Sequence, residues 1–149
     1  MGTVSHNGQG SHAWAGSWTH LSFDRRSPSY CRVTFDHPPT NTISATTVAE
    51  LAELAELIEQ DTDLHVVVFG SANADFYLAG PTGLHGWLHV LARVSRAPAL
   101  TIASIRGHVG GAGEEFAAAC DLRIASREGA LLDDAVEAVA RARSGRHEL

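Results

Sequence analysis

Apolar positions follow two different periods along this chain, and the changes of period mark the element boundaries. Between Trp18 and Asp24, and again between Ser29 and Phe35, β-branched and aromatic residues recur among polar ones, most plainly in Arg32-Val33-Thr34-Phe35. That alternation predicts two strands, and R-R-S-P-S between them has turn composition, so a hairpin is expected. His37-Pro38-Pro39-Thr40-Asn41 must be a loop, because prolines end the strand. From about Ala45 to Gln60 the period becomes helical, with Val48, Leu51, Leu54, Ala55 and Ile58 on one side. Thr42 or Ser44 is the expected cap. Glu50, Glu53, Glu56 and Glu59 occupy other faces and are expected to form a solvated surface.

Asp61-Thr62-Asp63 breaks this helix. Leu64 to Gly70, L-H-V-V-V-F-G, is nearly unbroken β-branched sequence, which predicts a parallel strand buried on both faces. Ser71 to Asp75 is a loop, and Phe76 to Gly83 starts apolar and ends in breakers. Leu84 to Ser95 predicts a short helix with Leu84, Leu88, Leu91 and Val94 on one face. Pro98 ends that connection, and Leu100 to Ile105 reads as a second buried strand. Strand, helix, strand of this kind implies a right-handed crossover. A further short strand follows Asp121, and Asp133 to Arg143 predicts a weakly amphipathic helix.

Composition bounds the class. The 149 residues are 44% hydrophobic and 19% charged, the profile of one globular domain with a real core. A net charge of -6 argues against general nucleic-acid binding. Cys31 and Cys120 match no metal spacing and are too few for a disulfide framework, so two reduced thiols are expected. Residues 1–17 are rich in Gly, Ser and His and predict a mobile tail without the apolar core of a secretory signal. No apolar run approaches the length of a membrane span. A soluble cytoplasmic protein, with no membrane partner, is the expectation.

Candidate chemistry concentrates between Thr101 and Ser126. Four glycines (Gly107, Gly110, Gly111 and Gly113) separate the strand ending at Ile105 from Glu114, Glu115 and the small-residue run Phe116 to Cys120. A glycine loop that opens a helix presents bare backbone N–H groups at the positive end of the helix dipole. A carboxylate one turn inside is placed to move a proton near an anion held there. The loop fits no G-x-G-x-x-G register, ends in no Gly-Lys-Ser/Thr, and the chain has no G-x-S-x-G elbow. Two readings stay open at this level. The loop supplies an N–H donor to a developing oxyanion, or its glycines only permit a tight strand-to-helix turn. His85 and His89 share a helical spacing, but H-G-W-L-H lacks the glutamate of a zinc helix and no third ligand is evident, so no metal site is expected.

Four blocks together carry a resemblance. R-V-T-F-D-H-P-P-T-N (32–41), the helix and strand from 48 to 71, F-Y-L-A-G-P-T (76–82) and I-A-S-I-R-G-H-V-G-G-A-G-E-E-F-A-A-A-C-D-L-R-I-A-S (102–126) resemble, in order, the conserved blocks of the crotonase superfamily, the enoyl-CoA hydratase/isomerase proteins. The resemblance covers roughly residues 18 to 131. It implies an α/β fold, a ββα spiral core, here incomplete and lacking the C-terminal helical region. The implied organisation is a tail (1–17), a crotonase-like core (18–131) and a short C-terminal helix and tail (132–149). It further implies an acyl-CoA thioester as substrate. Two backbone N–H groups would hold the thioester oxygen as it gains enolate charge. Coenzyme A enters as part of the substrate, and no separate cofactor is implied.

Residue by residue, the resemblance places Glu115 at the catalytic glutamate and Ala112 at the second oxyanion donor. Asp121 matches a structural aspartate. Leu78, Ala79, Gly80 and Gly111 fall in the acyl-CoA-binding segments. The first oxyanion donor falls on Pro81, which has no N–H; a one-residue shift would hand the role to Gly80 or Thr82. The second glutamate used by hydratases falls by count on Ala135, with Asp134 and Glu137 out of register. Three readings follow. One is a short hydratase or isomerase working with Glu115 alone, and an isomerase tolerates the missing second glutamate better. Another is an inactive, truncated member. The third is an interaction module that joins a full-length homologue, as a homo- or hetero-oligomer of crotonase-like chains.

Overall fold

The computed structural model describes residues 18–75, 77–125 and 135–143. The expected tail (1–17), Phe76, the segment 126–134 and the last six residues lie outside the described residues. Five strands form one sheet in sequential order: β1 (Leu21–Ser27), β2 (Tyr30–Phe35), β3 (Val66–Ser71), β4 (Leu100–Ile105) and β5 (Leu122–Ala125). β1 and β2 pair antiparallel, and every later neighbour pairs in parallel. Each parallel pair needs a crossover, and each crossover contains a helix: α1 (Ala45–Gln60), α2 (Trp87–Ser95) and α3 (Ala112–Ala119). A fourth helix, α4, spans residues 135–143.

The hairpin departs from expectation at both ends. β1 begins at Leu21, and Arg25-Arg26-Ser27 belong to the strand, with a register shift between Arg25 and Ser27. Only Pro28 and Ser29 turn the chain. The basic pair can remain in the strand because both side chains find acceptors. Arg25 bonds Asp61 at 2.7 Å and the carbonyl of Ser27, and Arg26 bonds Asp24.

Burial alternates on β2 and runs unbroken along β3, as a sheet covered on both faces demands. One face carries Cys31, Val33, Phe35, Val67, Phe69, Ala103 and Ile105, and α1, α2 and α3 all pack there. The opposite face carries Tyr30, Val66, Val68 and Ile102, under Val136 and Ala140 of α4. Three successive crossover helices on one face, with strands added in chain order, make a spiral of strand–helix turns.

α1 occupies the expected span, and Ser44 caps it by accepting from the N–H of Thr47 in a reciprocal capping box. Glu53, Glu56 and Glu59 of α1 are exposed as expected, but Glu50 is not. Glu50 is buried and accepts from the N–H groups of Thr19 and His20 at 2.7 and 2.8 Å, so it clasps the chain entering β1. Glu53 accepts from the Trp18 indole at 2.7 Å, and Glu59 takes both arms of Arg93 on α2.

α2 also differs. It begins at Trp87, after Gly86 in a left-handed conformation (φ 85°), three residues later than the pattern predicts. Its buried side chains are Trp87, Val90 and Val94, and Leu88 is 74% exposed. Trp87 therefore outcompetes Leu88 for the core, as the larger apolar surface should.

Beneath the upper ends of the strands lies an aromatic cluster. Phe35 meets Tyr77 and Phe116 edge-on at 5.5 and 5.3 Å, Phe69 meets Phe116 at 4.9 Å, and Trp87 stacks on Phe116 at 6.4 Å. It joins β2, β3, α2 and α3 to the segment after β3. Such pairs contribute about 0.5–1.5 kcal/mol each beyond area burial. The two cysteines are far from reactive: burial pushes both Cys31 and Cys120 up to about 12.

Candidate active site

Parallel α/β sheets place their sites at the carboxyl ends of the strands, where the loops leave for the helices. Here the loop after β3 and the loop after β4 meet at that end. His108 N–H donates to the Asp75 carbonyl and Tyr77 N–H donates to the His108 carbonyl, both at 2.8 Å. Gly107 permits the approach: its φ is 79°, and a Cβ would collide with the backbone of Asp75.

Residues 78–80 are held from the other side by the proline loop. Ala79 N–H donates to the Asn41 carbonyl at 3.0 Å, and Ile43 N–H donates to the Ala79 carbonyl at 2.8 Å. Asn41 is buried in a left-handed conformation (φ 58°). Its side-chain amide donates to Ser71 Oγ at 2.7 Å and to the Tyr77 carbonyl at 3.1 Å, while its oxygen accepts from His37 N–H at 2.8 Å. One residue thus ties the proline loop, the end of β3 and the 77–79 segment together. From its sequence context Asn41 is expected only to be part of a loop. Its signal was available: asparagine tolerates left-handed backbone and bonds local amides.

The 78–80 segment then lies against the start of α3. Ala112 N–H points at the Gly80 carbonyl at 3.4 Å, a long bond. Gly111 opens α3 with φ 60°, and no side chain caps the helix. A Cβ on Gly113 would run into the Leu78 carbonyl, far inside the 3.0 Å limit for such contacts. Glycine at 113 is therefore required for the two segments to touch. Leu78 and Ala112 are buried, Gly80 has φ 112°, and Pro81 and Gly111 are exposed. All six residues that the resemblance assigned to oxyanion and acyl-CoA contacts (Leu78, Ala79, Gly80, Pro81, Gly111 and Ala112) come together at this junction.

The two glutamates of α3 diverge. Glu114 is exposed and takes both arms of Arg123, whose guanidinium holds its carboxyl below the usual range. Glu115 is half-buried and accepts from the Trp87 indole Nε1–H at 2.8 Å. Asp121 secures the far end of the unit by accepting from the N–H and hydroxyl of Thr101, and its own N–H donates back to the Thr101 carbonyl. Ala135 is exposed and belongs to α4, on the opposite face of the sheet. His85 lies before α2 rather than on it, and both His85 and His89 are exposed. Among the described residues no group of three His, Cys, Asp or Glu could hold a metal ion, and no helix is long and apolar enough to cross a membrane.

The enoyl-CoA hydratase/isomerase family matches residues 25–134, well over half of the chain. The chain belongs to this family. Solved structures agree with it in fold. An enoyl-CoA hydratase/carnithine racemase from Magnetospirillum magneticum superposes with a TM-score of 0.65 at 26% identity, covering 72% of this chain and 46% of that one. DspI from Pseudomonas aeruginosa gives a TM-score of 0.64 at 26% identity, over 76% of this chain and 52% of that one. An enoyl-CoA hydratase from Bacillus anthracis gives 0.63 at 22% identity, over 70% and 46%. The chain spans about half the length of these relatives. The sheet and crossover helices described above are those of the crotonase fold.

Proposed function

We propose that this chain binds an acyl-CoA thioester across the junction of residues 78–81 with the start of α3. In this reading the Ala112 N–H stabilises the enolate oxygen and Glu115 carries the proton. The observation behind it is the meeting of the Gly80 carbonyl and the Ala112 N–H at 3.4 Å, with the Glu115 carboxylate one turn inside the same helix. On binding, the Ala112 N–H would exchange its long bond to the Gly80 carbonyl for the thioester oxygen, and as that oxygen gains enolate charge the N–H and the positive end of α3 would both favour it. A lone carboxylate can remove a proton from one carbon and return it to another, which suits double-bond migration better than hydration. The named relatives include enoyl-CoA hydratases, which supports an enoyl-CoA as the compound to test.

Pro81 favours a second reading, an inactive family member that acts by joining a crotonase-like chain. At the position of the first oxyanion donor it offers no N–H. Loss of one such donor lowers turnover by about a hundred- to thousand-fold. One experiment separates the two. Purified protein is given a short enoyl-CoA, and hydration and double-bond migration are followed together. Migration that disappears in Glu115→Gln supports the enzyme. Absence of turnover at high protein concentration removes it and leaves the second reading, which in turn predicts co-elution with a crotonase-like chain in light scattering.

A further inference from the structure

Trp87 is the first residue of α2 and almost fully buried, at 1% exposure. Its ring stacks on Phe116 of α3, the immediate neighbour of Glu115. A buried indole must spend its single N–H on an acceptor. This one donates to Oε1 of Glu115 at 2.8 Å, twenty-eight residues away in sequence. The hydrogen bond and the stacked ring hold the same turn of α3 from two directions. Gly86, in its left-handed conformation, sets where α2 begins and so where the indole points.

We infer that Trp87 is a positioning residue for Glu115: its indole N–H ties Oε1 and leaves Oε2 as the oxygen that exchanges protons with bound substrate. This inference rests on the acid/base reading of Glu115 given above. A carboxylate on a half-exposed helix turn otherwise rotates freely about its side-chain torsions. Tying one oxygen fixes the plane of the carboxylate and the direction of the other oxygen's lone pairs. Orientation of that kind raises turnover without adding to substrate affinity, because it acts on the proton-transfer geometry alone.

Trp87→Phe keeps a ring over Phe116 and deletes the N–H, and far-UV circular dichroism checks that the fold persists. The contact is read first without turnover, from the indole Nε1–H resonance in 1H–15N spectra, assigned by its loss in Trp87→Phe. The resonance should shift in Glu115→Gln and exchange faster with solvent in Glu115→Ala. A resonance indifferent to both substitutions overturns the inference outright. Kinetics follow with a short enoyl-CoA. Trp87→Phe should lower kcat about tenfold and leave KM within about twofold. A rise in KM at constant kcat would assign the indole to substrate packing and overturn positioning. If the resonance responds but the wild-type chain shows no turnover, the acid/base reading itself has failed, and the bond is structural only.

Discussion

Replacement of Asn41 by alanine tests how the proline loop holds the candidate site. Its amide bonds Ser71 Oγ, the Tyr77 carbonyl and His37 N–H at 2.7 to 3.1 Å, in a residue only 2% exposed. Three hydrogen bonds at about 1 kcal/mol each give about 3 kcal/mol. Alanine must also adopt the φ of 58° that asparagine accepts more readily, which adds about 1 kcal/mol. The expected loss is about 4 kcal/mol, a large part of the 5–15 kcal/mol typical of a domain. Urea denaturation followed by tryptophan fluorescence and circular dichroism measures it. With a slope near 2 kcal/mol per molar urea, the midpoint should fall by about 2 M. Asn41→Gly separates the two contributions. It removes the same hydrogen bonds but not the backbone compatibility, so it should lie between wild type and Asn41→Ala. A midpoint change below about 0.5 M in Asn41→Ala would refute the reasoning, because the amide would then be interchangeable with solvent.

Two further outcomes follow from the same geometry. Gly113→Ala lies in a helix, where alanine ordinarily stabilises by about 1 kcal/mol, yet here its Cβ meets the Leu78 carbonyl. The sign should therefore reverse, with a loss of about 2 kcal/mol in urea melts; a gain in stability would show that α3 and the 78–80 segment do not touch. His20 stacks on His37 at 3.6 Å, bonds Thr47 Oγ1 at 2.8 Å and lies near Ser44 Oγ and Glu50. Burial, then the charge of His37, hold it below its ordinary 6.5, against a smaller opposite pull from Glu50. The folded chain thus favours the neutral ring, and the unfolded chain binds more protons just below pH 6.5. Stability should fall as pH drops through that region, and urea midpoints of His20→Gln between pH 7.5 and 5.5 should fall less steeply than those of wild type. An equal or steeper fall in the variant would assign the acid sensitivity to other groups.

Long periodic runs made much of the fold legible. α1 and β4 occupy the residues that the apolar pattern marked, because sixteen residues of helical period, or six of β-branched and small apolar sequence, outweigh local noise. The shorter α2 misled. With nine residues, one large aromatic decided which face turned inward, and Gly86 decided where the helix began. β1 misled through Arg25 and Arg26, which look like turn residues until Asp61 and Asp24 are seen to accept from them. Glu50 looks solvated on any helical wheel. Its two N–H partners, Thr19 and His20, belong to a strand entrance thirty residues away.

The sequence by itself determined the family and the helix-opening glycine loop, and it marked the two segments to which the proposed thioester site is assigned. Local sequence sets backbone freedom and periodicity, and those signals need no distant partner. Only the tertiary structure decided that Gly80 faces Ala112, that Asn41 braces residues 77–79 against the proline loop, and that Glu115 rests against Trp87. It also set Ala135 on the opposite face of the sheet from α3. Each of these joins residues brought together by the winding of the sheet, and a hydrogen bond across tens of residues leaves no period to read. The glycine loop after β4 thus emerges as one half of a junction: an asparagine holds the other half in place, and a tryptophan bonds the helix that the loop opens.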